Sequence, residues 1–221
     1  MFHRRLPLPP RNLPWPLKPL DSAVTSLDYD ACGRMVMRIR HDRLKGITPT
    51  MIAWWFRNIG GDMDVEGRRL SRYLVWHPFD HIHWVLVRPG ADGGASPGAQ
   101  FRIVEAFGRN PDFAIDVTET VLKLDATGIT LAGTRLGVQI SGLNHDFIAV
   151  EGGTQYVSAL TIGIAVPGLR AAINPIVHRT MFTEAMGRAW LKHNIEEVGL
   201  LEHMLPLLYP QSQGGAAHKE T

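Results

Sequence analysis

From Pro167-Gly168 onward the sequence turns helical and stays so to Pro206, with Pro175 expected to divide a short opening piece from a main helix. That main helix should run about 30 residues, roughly 45 Å at the usual rise. At 100° per residue, Phe182, Met186, Ala189, His193, Glu197, Leu200 and Met204 fall on one stripe. His193 and Glu197 therefore stand where leucine would be the ordinary choice. A buried carboxylate is costly unless it is paired or bound to a metal. His and Glu four residues apart on a helix project side by side, which suits two ligands of one ion. A solvated surface pair has the same spacing, and only the place of these two within the apolar stripe argues against it. Glu196 is the competing carboxylate; it lies at the margin of the stripe and could pair with Lys192.

The stretch from about Tyr73 to Val166 reads mainly as strands. Phe101, Ile103, Glu105 and Phe107 alternate with Arg102, Val104 and Ala106, and β-rich runs follow near 117–124, 129–131, 138–140, 147–150 and 156–166. Gly-containing turns separate several of them. One helix comes earlier: Thr48 is its N-cap, Pro49 its first residue, and Gly60-Gly61 its stop. Strands followed by one long helix predict an α+β fold, an antiparallel sheet crossed by the C-terminal helix, with a deep pocket between them. Residues 1–20 read as a Pro-rich arm, 21–210 as a single domain, and 211–221 as a small, polar tail expected to be disordered.

Composition narrows the function classes. The chain has 221 residues, 45% of them hydrophobic, enough for a substantial core. Charged residues are 20% of the total and balance to +2, with no block of like charges, so a nucleic-acid interface is not expected. The single cysteine, Cys32, leaves no intrachain disulfide to form. Prolines interrupt every short apolar run near the N-terminus, which argues against a signal peptide, and no run approaches the roughly 18 apolar residues of a membrane span. A cytoplasmic setting is the expectation.

Two further ligands would complete an ion site. The stretch from Tyr73 to Trp84 reads YLVWHPFDHIHW and holds three histidines. Pro78 argues against a helix there, so His77 and His81 are not a helical pair, and His77 and His83 are expected at the surface of a polar turn. Glu105 shares its strand face with Phe101, Ile103 and Phe107 and would point inward; an edge-strand charge facing solvent is the alternative.

Taken in order, ITPTMI from Ile47 with Trp54-Trp55-Phe56, YLVWHPFDH ending at His81, and HNIEE from His193 to Glu197 with Leu205-Pro206 and Tyr209 resemble the phloretin hydrolase and diacetylphloroglucinol hydrolase family. The resemblance runs from Ile47 to Tyr209. It implies a helix-grip fold similar to pollen-allergen and START-like domains, and hydrolysis of the carbon–carbon bond between an acyl group and a phenolic ring. It also implies one zinc ion per chain, held by His81, Glu105, His193 and Glu197. Two His and two Glu would also suit Fe2+ or Mn2+. By the same resemblance Tyr73 and His145 are the catalytic candidates, the latter ahead of Gly152-Gly153-Thr154, and Trp84, Tyr156 and Leu160 are expected against the substrate. The sequence departs from the family at Ala159-Leu160-Thr161, where an aromatic residue is usual.

Hydrolysis of an acylphenol requires a polarised ketone, an attacking water, and an aryl carbon that leaves with a proton. A Lewis-acidic ion serves the first two needs, and Tyr73 and His145 could bind the substrate and move protons. The expected partner is a small aromatic ketone, with homodimerisation left open. The rival readings are a helix-grip binder of aromatic or apolar molecules without catalysis, and a different metal-dependent hydrolase.

Overall fold

The computed structural model describes residues 9–214, with side chains to 210. The beginning of the expected arm, 1–8, and most of the expected tail, 215–221, lie outside the described residues. In chain order the elements are β1 (Val24–Tyr29), β2 (Met35–Arg40), β3 (Leu44–Lys45), α1 (Pro49–Asn58), β4 (Asp62–Val65), β5 (Arg68–Ser71) and α2 (Arg72–Trp76). Then come β6 (His81–Arg88), β7 (Gln100–Ala106), β8 (Ala114–Asp125), β9 (Gly128–Arg135), β10 (Val138–Val150), β11 (Gly153–Ile162), α3 (Arg170–Thr180) and α4 (Glu184–Gly214).

Nine strands form one antiparallel sheet in the order β1-β2-β11-β10-β9-β8-β7-β6, with β3 pairing β11 at the side. β4 and β5 are a separate hairpin. Bulges between His81 and His83, Val121 and Lys123, and Gln139 and Ser141 add twist and bend the sheet. The curved sheet closes on α4, which is the helix-grip arrangement. At Gly128 a Cβ would stand 2.3 Å from the His145 carbonyl oxygen, so only glycine lets the β8–β9 turn approach β10 at that point.

Local chemistry accounts for the helices. The Thr48 hydroxyl accepts a hydrogen bond from Met51 N at 3.3 Å, and Pro49 opens α1 where no donor is needed. Ile52, Trp55 and Phe56 form its buried face. The Thr183 hydroxyl accepts from Met186 N at 3.2 Å and starts α4. Pro175 does not divide the terminal helices as expected; it lies inside α3, and the break comes at 181–183. Nor does Pro206 end α4, which continues through Pro206 and Pro210 to Gly214. All three prolines are exposed.

Other expectations are corrected in detail. Tyr73 is on α2 rather than a strand, and the runs at 138–140 and 147–150 are one strand, β10. β1 and β2, unanticipated, extend the sheet beyond β11. The core falls into two apolar clusters. One gathers α1, α2 and the distal half of α4 around Trp55, Trp76 and Met204; the other gathers β2, β11 and the proximal half of α4 around Met37, Phe107 and Trp190. The arm from residue 9 lies against the first cluster through Leu13, Trp15 and Leu17. Among the described residues, no helix is long and apolar enough to cross a membrane.

Candidate metal centre

Between the two clusters α4 places His193 and Glu197 against the sheet, and both are buried. β6 begins at His81 directly opposite Glu105 of β7, and these too are buried. His81 Nε2 lies 3.3 Å from Glu105 Oε1 and 3.4 Å from Glu197 Oε2. His193 Nε2 lies 3.5 Å from Glu105 Oε2 and 3.9 Å from Glu197 Oε2. Donor atoms about 2.0–2.1 Å from a tetrahedral zinc would stand about 3.4 Å apart, so the set is close to the size an ion needs. His81, Glu105 and His193 also offer three donor atoms within 4.8 Å of one another.

The surroundings orient all four groups. His81 Nδ1 lies 2.6 Å from the Tyr73 carbonyl oxygen, which can only accept, so Nδ1 carries the proton and Nε2 presents a lone pair. That Nε2 is buried without a hydrogen-bond partner. His193 Nδ1 donates to Asp80 Oδ2 at 3.0 Å and aims its own Nε2 at the same point. The Tyr73 hydroxyl donates to Glu105 Oε1 at 2.5 Å, and Asn194 Nδ2 donates to Glu197 Oε1 at 2.6 Å. An orphaned imidazole nitrogen facing two restrained carboxylates fits a divalent cation.

The electrostatics agree. Burial pushes the Glu197 carboxyl up to about 7 despite His193 and Asn194. Burial would lower His193, but Glu105, Asp80 and Glu197 outweigh it and raise the imidazole to about 9. Burial brings His81 down to about 4 even beside Glu105. The raised His193 reports the negative charge of Glu105, Asp80 and Glu197 around it, and a cation bound there would take the place of its proton.

His77 and Asp80 were not singled out as site residues, and His77 is not the surface histidine expected. It is buried and stacked on His193 at 4.4 Å. Its Nδ1 accepts from Asp80 N at 3.1 Å and its Nε2 contacts Glu196 Oε2 at 3.3 Å. Asp80 also accepts from Gly108 N and Arg109 N at 2.9 and 3.0 Å. His77, Asp80 and His193 thus form a second group of possible donors, but Asp80 is committed to orienting His193. Glu196 turns from the centre to Lys192 and His77, while Glu197 faces it. His83 is exposed.

The centre opens into a cavity between the sheet and α4. Tyr73, Trp84, Glu105, His145, Leu160, His193 and Glu197 all line it, mixed with Phe56, Phe101, Leu131 and Trp190. Tyr156 does not; it is fully buried against His145, Phe147 and His41. His145 is on β10. Its Nδ1 and the Nε2 of His41 both lie 2.9 Å from Ser158 Oγ. One serine hydroxyl donates to one ring and accepts from the other, so the two tautomers are linked. Burial lowers both imidazoles to about 3, which keeps them neutral near pH 7. Glu119 and Ser141 also line the cavity and were not anticipated.

No family model matches the chain. No curated protein matches it either. Among solved structures, a protein from Rhodobacter sphaeroides is similar at 15% identity and TM-score 0.47, covering 84% of this chain and 99% of its own. A START superfamily protein from Mycobacterium smegmatis is similar at 11% identity and TM-score 0.39, with 75% and 97% covered. The di-domain ARO/CYC protein BexL of the BE-7585A biosynthetic pathway is similar at 12% identity and TM-score 0.39, with 80% of this chain and 51% of its own covered. Similarities this distant carry no argument about chemistry. The strand order and terminal helix of the chain itself define a helix-grip fold, with a cavity between sheet and helix.

Proposed function

We propose that this chain is a metal-dependent hydrolase that binds an aryl ketone in the cavity and cleaves the carbon–carbon bond between its acyl group and phenolic ring. The observation that carries the reading is the convergence of His81, His193, Glu105 and Glu197 on one point, three of them also lining the cavity, with the His81 Nε2 left unpartnered. The resemblance of the YLVWHPFDH and HNIEE segments to the phloretin hydrolase family supports the reaction class. These four residues would hold the ion, which when bound supplies Lewis-acid polarisation of a carbonyl and acidifies water.

The other tasks fall to the chain's side chains. Net hydrolysis adds hydroxide to the acyl carbon and a proton to the ring carbon, releasing a carboxylic acid and an arene. His145, neutral and lining the cavity, is placed to hydrogen-bond a ring hydroxyl and so orient the ring. Ser158 and His41 fix its orientation. Tyr73 holds Glu105 in place and presents its hydroxyl at the cavity edge.

Elemental analysis of protein purified without added metal, paired with carboxylate release from C-acylated phenols with and without chelator, tests the proposal. His193→Ala and Glu197→Ala should each lose stoichiometric metal and activity together, and Glu196→Ala should keep both. Full metal occupancy in both His193→Ala and Glu197→Ala would defeat it. A second reading, a carrier of aromatic molecules without catalysis, draws support from the apolar walls; tight binding without turnover by metal-replete protein would favour it. Cleavage of simple esters alone would favour a different hydrolase.

A further inference from the structure

The apolar part of the cavity contains one polar feature that the proposed mechanism does not use. Glu119 of β8 is buried and lines the cavity. Among the described residues its one hydrogen-bond contact is with Ser141 Oγ of β10 at 3.5 Å. Gly133 of β9 lies between them, paired with Glu119 on one side and Ser141 on the other. A Cβ on Gly133 would stand 2.2 Å from Ser141 Oγ and 3.8 Å from Glu119 Oε1. The glycine therefore clears the space in which the carboxyl and hydroxyl meet. No Lys or Arg lines the cavity among the described residues. Such a carboxyl, with one long contact, costs stability unless something else completes its hydrogen bonding.

The position is at the far side from the ion. Glu119 pairs with Phe101 and Ile115 with Glu105, so four residues of strand, about 13 Å, separate the two backbone positions. Burial and, after it, the charge of Glu105 push the Glu119 carboxyl up to about 7 despite Ser141.

We propose that Glu119 and Ser141 form the anchor for a hydroxyl group on the ligand, at the end remote from the carbonyl held near His81 and His193. The inference rests on the cavity being the substrate pocket. A hydroxyl both donates and accepts, and so uses the carboxylate and the serine together; an ammonium could only donate. The ligand class is an aryl ketone whose ring carries a distal hydroxyl, and Glu119 is a specificity residue rather than a catalytic one.

Three matched ligands test this in the purified metal-loaded protein: propiophenone, its 4-hydroxy derivative and its 4-aminomethyl derivative, with dissociation constants measured by calorimetry. The hydroxy ligand should bind roughly tenfold or more tighter than the parent. In Glu119→Leu that preference should shrink to about twofold or less without a fall in Tm, because an apolar side chain replaces a poorly satisfied carboxyl. Glu119→Gln, which keeps the shape, should lose several-fold of the preference and decides the matter if the leucine variant does not fold. An unchanged preference in the variants, equal weakening of all three ligands, tightest binding of the aminomethyl ligand, or no binding by any of them would overturn the anchor. Carboxylate release is followed in parallel. Its absence, with the hydroxyl preference intact and lost on substitution, would defeat the hydrolase reading and leave the anchor standing.

Discussion

Tyr73 acts on the centre from two ends: its carbonyl oxygen fixes the tautomer of His81, and its hydroxyl restrains Glu105. Tyr73→Phe deletes only the second contact. Turnover on an acylphenol should fall roughly tenfold to a thousandfold while metal content stays near one per chain, and an unchanged rate would return Tyr73 to a packing role. Asp80 supports His193 in the same way. Asp80→Asn replaces a charged acceptor by a neutral one, so metal affinity should fall about 10- to 100-fold in competition with a chromophoric chelator. Unaltered affinity would show that His193 needs no carboxylate behind it. The inward placement of His193 and Glu197 was legible because a helical stripe states which residues face inward. Asp80 and His77 were not. Their inward turn depends on the backbone N–H groups of Gly108 and Arg109, which Asp80 finds 28 and 29 residues later, and no local pattern encodes that pairing.

At the scale of elements, α1 was legible to its first residue because Thr48 and Pro49 carry their own chemistry. The prolines of α3 and α4 misled, since a helix can continue through an exposed proline at the loss of one bond, and exposure is not visible in the sequence. The arm illustrates another kind of non-local support. Arg11 donates to the carbonyl oxygens of Leu74, Pro78 and His81 at 3.2, 3.0 and 3.3 Å. It thereby ties together α2, the turn that follows and the first residue of β6. Trp15 stacks on His203 at 5.9 Å, and Lys18 pairs with Glu202 at 3.0 Å, holding the arm along α4. Arg11→Ala should cost about 2 kcal/mol for the lost charge-assisted bonds. For a chain of this size that is a fall of about 4–8 °C in Tm, measured calorimetrically on the metal-loaded protein. A Tm within a degree of the parent would make the arm a passive covering.

At the scale of the whole molecule, the buried ionisable groups in and behind the cavity wall form a seam that governs how stability responds to pH. His41 and His145 face Ser158, Tyr156 and Phe56, and burial first of all lowers both to about 3. Their ordinary value is 6.5, so the unfolded chain binds protons that the folded chain refuses. The stability this contributes is complete above pH 6.5 and is lost as pH falls toward 3. Glu119 works in the opposite sense. Its folded value of about 7 lies above the ordinary 4.5, so its contribution is complete below pH 4.5 and is lost as pH rises to 7. Between pH 6.5 and 4.5 two histidines oppose one carboxyl, and below 4.5 the histidines act without that opposition. Tm should therefore fall between pH 7.5 and 5 and fall more steeply below. The ion-binding groups also titrate, so the decisive comparison is between variants that leave them intact. His145→Gln keeps a hydrogen-bonding side chain beside Ser158 but cannot be protonated in this range. Its loss of Tm between pH 7.5 and 5 should be smaller than that of the parent, whatever its absolute stability. Glu119→Gln should show a larger loss than the parent over the same interval, because the opposing group has been removed. Equal pH slopes in all three proteins would place the acid sensitivity outside the seam.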